Sequence, residues 1–404
     1  MTSFEQFIRE STLRKEEIDV FLSPEKSTWA QFDPELGYVL GNHMPRNGID
    51  NSLTISTAAP HGGRTSIIYA DRPCRLNTYG NSFTECNQVS DHETWQEYLA
   101  AHLGEPIRNF GMAGFGVYQA YRRMIRTEAT EDGAEYVILY IWGDDHFRSL
   151  LRCRHVPSMG WHREHKRLGG RMLHGNFWSN LEMDLESGEF AERDNVLSTP
   201  KSLYRMTDAD FMVEALRDDL MLQMSLFCRG DTQDIDKQQL NRLAEHLGCS
   251  RLAEGSTDNL KNQVAEIRKT YAFAATKYII EHAAEFAAEN GKNLLIVLFC
   301  PSATRQLITT GERYDQSIVD YLRERQVRCF DMNPVHVEDY KSFNVPLDEY
   351  MKRYFIGHYS PKGNHFFAFA IKDEIVDWLD PKPVTYPDDE QARISFQEGY
   401  LPES

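Results

Sequence analysis

The sequence predicts an α/β protein with a doubly wound, mostly parallel sheet. Two apolar runs, EYVILYIWG (135–143) and NLLIVLFCP (293–301), are continuous rather than alternating, which is typical of strands that helices cover on both faces. The shorter runs PIRNFGM (106–112) and VRCFDM (327–332) are weaker strand candidates, and a further strand begins at Arg75. Helical patterns lie between these runs, and this alternation indicates a parallel sheet.

Several segments show the periodicity of amphipathic helices. Ser90 and Glu93 form a capping-box pair, and the apolar residues after them share one face until Gly104 ends the helix. The segments QSIVDYLRERQ (316–326) and NHFFAFAIKDEIVDWL (364–379) behave in the same way. The last segment contains three phenylalanines that we expect in the core, namely Phe366, Phe367 and Phe369.

Composition and pattern divide the chain into an N-terminal extension, a core in two parts, an insertion and a tail. The extension covers residues 1–70, and the core covers residues 71–150 and 262–380. Residues 151–261 are interpreted as a mainly helical insertion, with a lid over the strand ends as one option. The polar tail, residues 381–404, is expected to lie along the surface or to be mobile.

Charge and cysteine content exclude several classes of protein. The 404 residues carry a net charge of −17, which disfavours nucleic acid and anionic membranes as partners because both require clustered Lys and Arg. No apolar run approaches the roughly 20 residues of a membrane span, and the N-terminus lacks the apolar stretch of a signal peptide. The 7 cysteines are scattered without C-x-x-C spacing, which favours reduced thiols. We therefore expect a cytoplasmic protein without a cofactor, and a homo-oligomer remains open.

The segment YGNSFT places Ser82 where a strand turns into a helix. A serine hydroxyl acts as a nucleophile only with a base to take its proton and with N–H donors for the oxyanion. A strand-to-helix corner exposes the hydroxyl and leaves helix N-terminal amides free. The alternative is that Ser82 only caps the turn. The corner is not the G-x-S-x-G elbow, because Thr84 stands at the second glycine position.

Three downstream segments add groups that such a serine requires. The segment RNFGMAGFG (108–116) contains glycines that let the backbone approach a ligand and offer an amide. The most apolar strand ends in the polar residues Asp144, Asp145 and His146. His358, in IGHYSPKGNH, lies just ahead of a helix.

Together, these segments resemble the four ordered blocks of the SGNH (GDSL-like) hydrolase superfamily. YGNSFT resembles the nucleophile block, NFGMAGFG the glycine block, GDDHFR the third block and GHYSPKGNHFFA the terminal block. The segment FDPELGY (32–38) is similar to a lead-in of some bacterial relatives. The resemblance implies a flavodoxin-like, three-layer α/β/α fold. It also implies hydrolysis or transfer of an acyl group by a Ser–His mechanism on a small-molecule ester, with a short group such as acetyl.

The same resemblance implies a role for each site residue. Ser82 is the nucleophile, His358 is the base, and the amides of Ser82 and Gly114 bind the oxyanion. Asp144 takes the position of the third block's oxyanion-binding asparagine. The residues expected to contact substrate are Asn81, Trp142, Asp145 and His146.

The sequence departs from the family pattern in three places. Asn81 replaces the aspartate before the serine. Asp144 replaces an asparagine, and an ionised carboxylate cannot donate a hydrogen bond. Phe355 and Ile356 stand where the triad acid is expected.

These departures leave several alternatives open. The site could run as a Ser–His dyad, or another acid could serve, the candidates being Asp331, Asp348 and Glu349. Asp144 could be protonated in a dry pocket, or could bind a cationic part of the substrate. Hydrolysis could also have been lost, which leaves a binding protein, or the acyl group could pass to an alcohol acceptor.

Competing sites receive structural interpretations. No metal is expected at the histidine cluster, because the flanking Arg and Lys repel a cation and a further ligand at a recognisable spacing is missing. That cluster consists of His155, His162, His165 and His174. His336 rivals His358 as base but is interpreted as a loop histidine. The aromatic residues Trp142, Phe147 and Trp161 are expected to pack in the core or lid rather than to line a pocket.

Overall fold

A computed structural model describes residues 2–23, 25, 29–154, 176–253 and 256–387. The fold is mixed α/β around a five-stranded parallel sheet, in which the strand order is β4-β3-β5-β8-β9. These strands are β3 (Leu76–Tyr79), β4 (Arg108–Asn109), β5 (Tyr136–Ile141), β8 (Asn293–Leu298) and β9 (Cys329–Asp331). Two antiparallel pairs complete the described strands, namely β1 (Ala30–Asp33) with β2 (Gly37–Leu40) and β6 (Asn180–Met183) with β7 (Phe190–Arg193).

The helices of the described residues surround these sheets. Those that precede β8 are α1 (Phe4–Arg9), α2 (Lys15–Leu22), α3 (Ser82–Glu85), α4 (Trp95–Leu103), α5 (Val117–Glu128), α6 (Asp145–Arg148), α7 (Ala209–Leu216), α8 (Leu220–Arg229), α9 (Lys237–His246) and α10 (Thr257–Glu289). Those that follow are α11 (Pro301–Thr310), α12 (Gln316–Glu324), α13 (Met332–Tyr340), α14 (Leu347–Tyr354) and α15 (Pro361–Trp378). None of them combines the length and the apolar character that a membrane crossing requires.

The topology of the parallel sheet marks one place on its edge. Counted in chain order, the five strands lie in the order 2-1-3-4-5. The first of them, β3, pairs with β4 on one side, where Thr78 faces Asn109, and with β5 on the other, where Tyr79 faces Leu139. Ligands of parallel α/β sheets bind outside the carboxyl ends of the strands at such a point of reversal.

The central strand β5 confirms the prediction of a strand buried on both faces. All of its residues are buried. Val137, Leu139 and Ile141 join one hydrophobic cluster, whereas Ile138 and Tyr140 join a second. Alternate side chains of a strand point to opposite faces, so the sheet packs against apolar side chains on both sides.

The weaker strand and helix predictions differ in extent from the structure. The run at 106–112 forms only the two residues of β4, although Phe110 and Met112 beyond it still donate their N–H groups to the carbonyls of Thr78 and Gly80. The capping box of Ser90 and Glu93 is present, at a 3₁₀ turn just before α4.

The phenylalanines of α15 do not all lie in the core. Phe367 is buried and Phe366 is partly buried, but Phe369 is 58% exposed, which corrects the expectation for that residue. Phe369 lies on the outer side of the helix, where it contacts the rings of His102 and His365.

The predicted insertion contains both strands and helices. Its described part includes the β6–β7 pair and the helices α7, α8 and α9. The boundary placed at residue 261 falls within α10, whose 33 residues run from the insertion into the core. At the other end of the chain, the start of the tail packs on α4, since Thr385 donates to the carbonyl of His102 at 2.6 Å.

A hairpin formed by residues 43–56, here called the 43–56 hairpin, lies beside the turns that follow α3. His43 and Ser56 exchange backbone hydrogen bonds, and Arg46 bridges Leu53. Its tip passes through the left-handed residues Asp50 and Asn51. On one face of the hairpin Thr54 and Ser56 are buried, whereas the apolar residues of the other face are about half exposed, namely Met44, Leu53 and Ile55.

Arg64 fixes the turns that follow α3. Its side chain is 1% exposed, and its guanidinium donates to the carbonyls of Glu85, Cys86 and Val89 at 2.6–2.8 Å. A fourth bond, of 2.8 Å, joins Nε to the carboxylate of Asp91. The turn residues therefore share one cationic anchor, which satisfies carbonyls that the end of a short helix leaves free.

We expect Arg64→Met to lower the free energy of unfolding by about 3–5 kcal/mol, because it leaves the buried carboxylate of Asp91 without its cation. Urea denaturation followed by circular dichroism measures the change. Arg323→Met is the matched control, because Arg323 is 73% exposed on α12, and we expect a change within about 0.5 kcal/mol. Equal effects of the two substitutions would contradict the anchoring role of Arg64.

Candidate active site

Ser82 lies at the first position of α3, directly beyond the carboxyl end of β3. Gly80 makes this corner feasible, because a Cβ there would lie 2.3 Å from Thr84 Oγ1 and 2.7 Å from the carbonyl of Tyr140. Asn81 caps the helix, since its Oδ1 accepts the N–H of Phe83 at 2.7 Å. The corner thus holds the Ser82 hydroxyl at the edge of the sheet, partly exposed.

His358 meets Ser82 across 276 positions of sequence. Its Nε2 lies 2.8 Å from Ser82 Oγ, a hydrogen-bond distance. The histidine precedes α15, whose N-cap Ser360 and first-turn Pro361 fix the start of the helix. The structure therefore brings together the two residues that the sequence assigned as nucleophile and base.

The other ring nitrogen of His358 faces Gln88. The Oε1 atom of Gln88 lies 3.0 Å from Nδ1 of His358 and accepts the backbone N–H of the same residue at 2.7 Å. Gln88, which follows α3 in a turn, is not among the residues predicted from the sequence. Nothing in the run NQVSD distinguishes it, because its contact with His358 arises only where two distant turns meet.

The surroundings of His358 favour a neutral imidazole. Burial lowers the pKa of the ring to about 4, and the positive charge of Arg148 acts in the same direction. The ring packs on Phe83, with centroids 5.1 Å apart. At neutral pH the ring is therefore uncharged and one of its nitrogens can accept a proton.

Asn81 and Asp145 form a buried link beneath the corner. Asn81 Nδ2 donates to Asp145 Oδ2, which also accepts the N–H of Trp142 at 2.9 Å. Oδ1 of Asp145 accepts from Arg148 at 2.9 Å. Burial raises the pKa of Asp145 to about 7. Both side chains of the link are buried and engaged, so their predicted role as substrate contacts is corrected to one of support.

Residues 110–116, here called the glycine loop, follow β4. Hydrogen bonds to the N–H and to the carbonyl of Ala113 hold this loop in place, the first of them against α3. Glu85 Oε2 accepts the N–H of Ala113 at 2.6 Å, and Tyr38 donates its hydroxyl to the carbonyl of Ala113 at 3.0 Å. In a trans peptide the carbonyl and the following N–H point in opposite directions. Tyr38 therefore directs the N–H of Gly114 away from itself.

The backbone N–H groups of Ser82 and Gly114 are without an acceptor among the described residues. Gly114 adopts φ 83°, a conformation that favours glycine. The loop around it is further fixed by Arg148, which donates to the carbonyl of Phe115 at 3.3 Å. These N–H groups are the ones that the sequence analysis assigned to an oxyanion.

The remaining predicted contact residues have different positions. The Asp144 side chain is 66% exposed and lies 3.6 Å from Arg148, so the dry pocket considered for it is not found. His146 is buried and bonds to Thr276 on α10 at 2.8 Å, which corrects its assignment as a substrate contact. Trp142 is partly exposed and stacks on Phe83, so it alone of the three adjoins the Ser82 corner.

None of the considered acids takes the place of the triad carboxylate. Asp331 pairs with Arg313, and Asp348 pairs with Arg305. The described contacts of His358 include no Glu349. The partner on Nδ1 is instead the neutral amide of Gln88.

The competing histidines do not form a second site within the described residues. His336 is a buried helical residue of α13, not a loop histidine, and its two ring nitrogens bond to Tyr350 and Tyr359. The cluster at 155–174, together with Trp161, lies outside the described residues. In the part of the chain that the structure describes, no cluster of three or more His, Cys, Asp or Glu residues could hold a metal.

A hydroxyl hydrogen-bonded to a neutral imidazole, together with backbone N–H groups that have no acceptor among the described residues, provides the groups that covalent nucleophilic catalysis requires. Comparisons of the chain with models of known families and with curated proteins find no match.

We expect Gly357→Ala to destabilise the protein more than Gly291→Ala. A Cβ on Gly357, at φ 119°, would lie 2.5 Å from Gln88 Oε1, whereas one on Gly291, at φ 62°, meets nothing within 4 Å. Left-handed strain costs about 1–2 kcal/mol in the αL region of Gly291, and at Gly357 both the less accessible φ of 119° and the contact with Gln88 add to that cost. Urea midpoints at unchanged slope give both values, and equal losses would contradict the close approach.

Proposed function

We propose that this protein is a serine esterase or deacylase of the SGNH type. The observation that supports this most strongly is the 2.8 Å hydrogen bond between Ser82 Oγ and His358 Nε2. The resemblance of the surrounding segments to the SGNH blocks supports the same reaction. The proposed substrate is a small-molecule or sugar ester with a short acyl group such as acetyl.

The proposed reaction has two halves. Ser82 Oγ attacks the acyl carbon while His358 Nε2 takes the hydroxyl proton, and the N–H groups of Ser82 and Gly114 bind the oxyanion. The imidazolium then gives its proton to the leaving alcohol, which departs as the acyl-serine forms. In the second half a water attacks the acyl-serine, its proton passes to His358 and then to Ser82, and the acid is released.

The topology agrees with the proposed fold of this family. The strand order 2-1-3-4-5 and the two hydrophobic clusters on β5 support a doubly wound, three-layer α/β/α arrangement. Ser82 follows the strand at which the order reverses, where ligands of such sheets bind. The acidic net charge and the scattered cysteines, none of them in C-x-x-C spacing, support a cytoplasmic location.

A second candidate is a binding protein that has lost hydrolysis. The neutral Gln88 in place of a carboxylate favours it, because loss of the triad carboxylate lowers turnover strongly, by about 10⁴-fold in the best-studied case. An O-acyltransferase is the third candidate, with an alcohol acceptor in place of water.

We expect Ser82→Ala and His358→Ala each to lower turnover of a short-chain aryl acetate by at least about 10³-fold, and Ser82→Ala to abolish labelling by a fluorophosphonate. Ser187→Ala, at an exposed serine in the turn between β6 and β7, should retain both the turnover of the aryl acetate and the labelling by the fluorophosphonate. Equal labelling of the wild type and of Ser82→Ala would reject the assignment of Ser82 as the nucleophile. Absence of any Ser82 acylation would favour the binding protein, and product that forms only with an added alcohol would favour the transferase.

We expect no loss of kcat/KM from the titration of His358 between neutral pH and about pH 5, and a fall through its ionisation near pH 4; a change above pH 5 reports Asp145, whose pKa burial raises to about 7. The pKa of His358 is lowered to about 4 from an ordinary 6.5, so the base stays neutral over that range. Rates on an uncharged ester, with circular dichroism at each pH to confirm folding, test this. Loss of all activity through a single limb centred near pH 6.5, with none left to titrate near pH 4, would contradict it.

A further inference from the structure

We propose that Gln88 is the positioning residue of His358, and that the 43–56 hairpin holds Gln88 in place. The neutral amide of Gln88 would then fix the orientation and the tautomer of the His358 ring, as the carboxylate does in a catalytic triad. The catalytic consequences of this inference rest on the proposed function, whereas its structural content does not.

The contacts of Gln88 determine which way its amide points. The backbone N–H of His358 is a donor, so the atom 2.7 Å from it must be the carbonyl oxygen Oε1. The carbonyl of Asn47 is an acceptor, so the atom 3.1 Å from it must be the amino nitrogen Nε2. Reversal of the amide would place two donors together at one end and two acceptors together at the other.

The orientation of the amide then determines the tautomer of His358. Since Oε1 only accepts hydrogen bonds, Nδ1 of His358, at 3.0 Å, must carry the ring proton. The neutral ring has one proton, so Nε2 is left as the acceptor that faces Ser82 Oγ. This is the tautomer that can remove the serine proton.

The backbone around the contact is adapted to it at both ends. Gln88 has φ 74° and Gly357 has φ 119°, and both values lie in the left-handed region. A side chain at Gly357 would collide with Gln88 Oε1, at 2.5 Å. The turn that carries Gln88 is anchored by the Arg64 bonds to its neighbours Cys86 and Val89. The approach of the amide to the imidazole is therefore fixed from several directions.

The 43–56 hairpin supplies the support behind Gln88. Thr54 donates its hydroxyl to Asn47 Oδ1 at 2.7 Å, which holds the residue whose carbonyl binds Gln88 Nε2. Ser90 Oγ accepts the N–H of Ile55 at 3.2 Å, which ties the hairpin to the segment after Gln88. The hairpin thus acts on His358 through Gln88.

A neutral amide differs from a carboxylate in its effect on the charged ring. A carboxylate beside an imidazole favours the protonated form, and an amide does not. Among the described groups packed against the ring, Gln88, Ser82 and Phe83 are uncharged, and the one that acts on it through charge is the cationic Arg148 of α6. Gln88→Glu therefore adds a carboxylate at the position that already contacts Nδ1, while its second oxygen loses the hydrogen bond that Gln88 Nε2 donates to the Asn47 carbonyl.

Nuclear magnetic resonance of ¹⁵N-labelled histidine tests the inference without any substrate. We expect the wild-type His358 ring to be protonated at Nδ1, and Gln88→Ala to give a mixture of tautomers. Gln88→Glu should raise the midpoint of the ring's titration by about 1–3 pH units. Gln326→Ala and Gln326→Glu are matched controls, because Gln326 is an exposed left-handed glutamine, with φ 55°, just before β9. A wild-type ring protonated at Nε2, or an unchanged tautomer in Gln88→Ala, would overturn the inference.

Kinetics test the catalytic consequence. Gln88→Ala should lower kcat by about 10- to 100-fold with KM changed less than about twofold, which marks a transition-state effect. Gln88→Glu should restore kcat at neutral pH. The acid limb of its pH profile should move upward together with the titration midpoint of the His358 ring. Should Gln88→Ala not fold, Gln88→Asn, which keeps an amide on a shorter side chain, replaces it with the same expectations.

Thr54→Val tests the hairpin, and a fall in kcat of about two- to tenfold corresponds to one ordinary hydrogen bond. An unchanged tautomer of His358 together with an unchanged kcat in Thr54→Val would overturn the inference that the 43–56 hairpin holds Gln88 in place. If the resonance results hold but neither the wild type nor Ser82→Ala turns over any ester, the proposed function falls and the positioning role of Gln88 stands.

Discussion

The hydrogen bond between Ser82 and His358 is the interaction that the other features described above hold in place. It joins the carboxyl end of β3 to the turn before α15, segments that only the parallel sheet and its covering helices bring together. A 2.8 Å contact of this kind requires both partners to be held to within a few tenths of an ångström. The corner after β3 does this for the serine, and the start of α15, together with Gln88, does it for the histidine.

Buried polar side chains hold Ser82 and His358 in place through hydrogen bonds. Each of these contacts has a desolvation cost, because it removes a charged group from water. The Arg64 anchor, the Asn81–Asp145–Arg148 link and the Glu85 contact all take charged groups out of water. Such groups are tolerated only when their hydrogen bonds are satisfied. The raised pKa values of Asp145 and Glu85, both caused by burial, show the same cost. Their concentration around α3, a helix of only four residues, is consistent with a corner that local packing alone would not hold.

The sequence predicted the elements and residues whose signals are local. The long apolar strands were correct because a strand buried on both faces has a continuous apolar run. The helix predicted over 364–379 exists as α15, but it begins three residues earlier, at Pro361. Gln88 could not be predicted, because its role depends on two turns that meet only in the folded chain. The adjacent carboxylates of Asp144 and Asp145 were also indistinguishable in sequence, yet one step around α6 leaves the first exposed and the second buried. The position of Phe369 failed for a similar reason, since three aromatic residues within four positions cannot all face one side of a helix.

The hydroxyl of Tyr38 has a consequence for how the molecule can be divided. It comes from the β1–β2 pair near the N-terminus, yet it binds the peptide group that orients Gly114, and Trp29 of the same region donates to Glu85 at 3.0 Å. The segment before the parallel sheet is therefore an internal brace of the glycine loop rather than an appendage. A minimal functional unit drawn around the sheet alone would keep its strands but would lose the brace, so any trimmed version of this protein must begin upstream of Trp29.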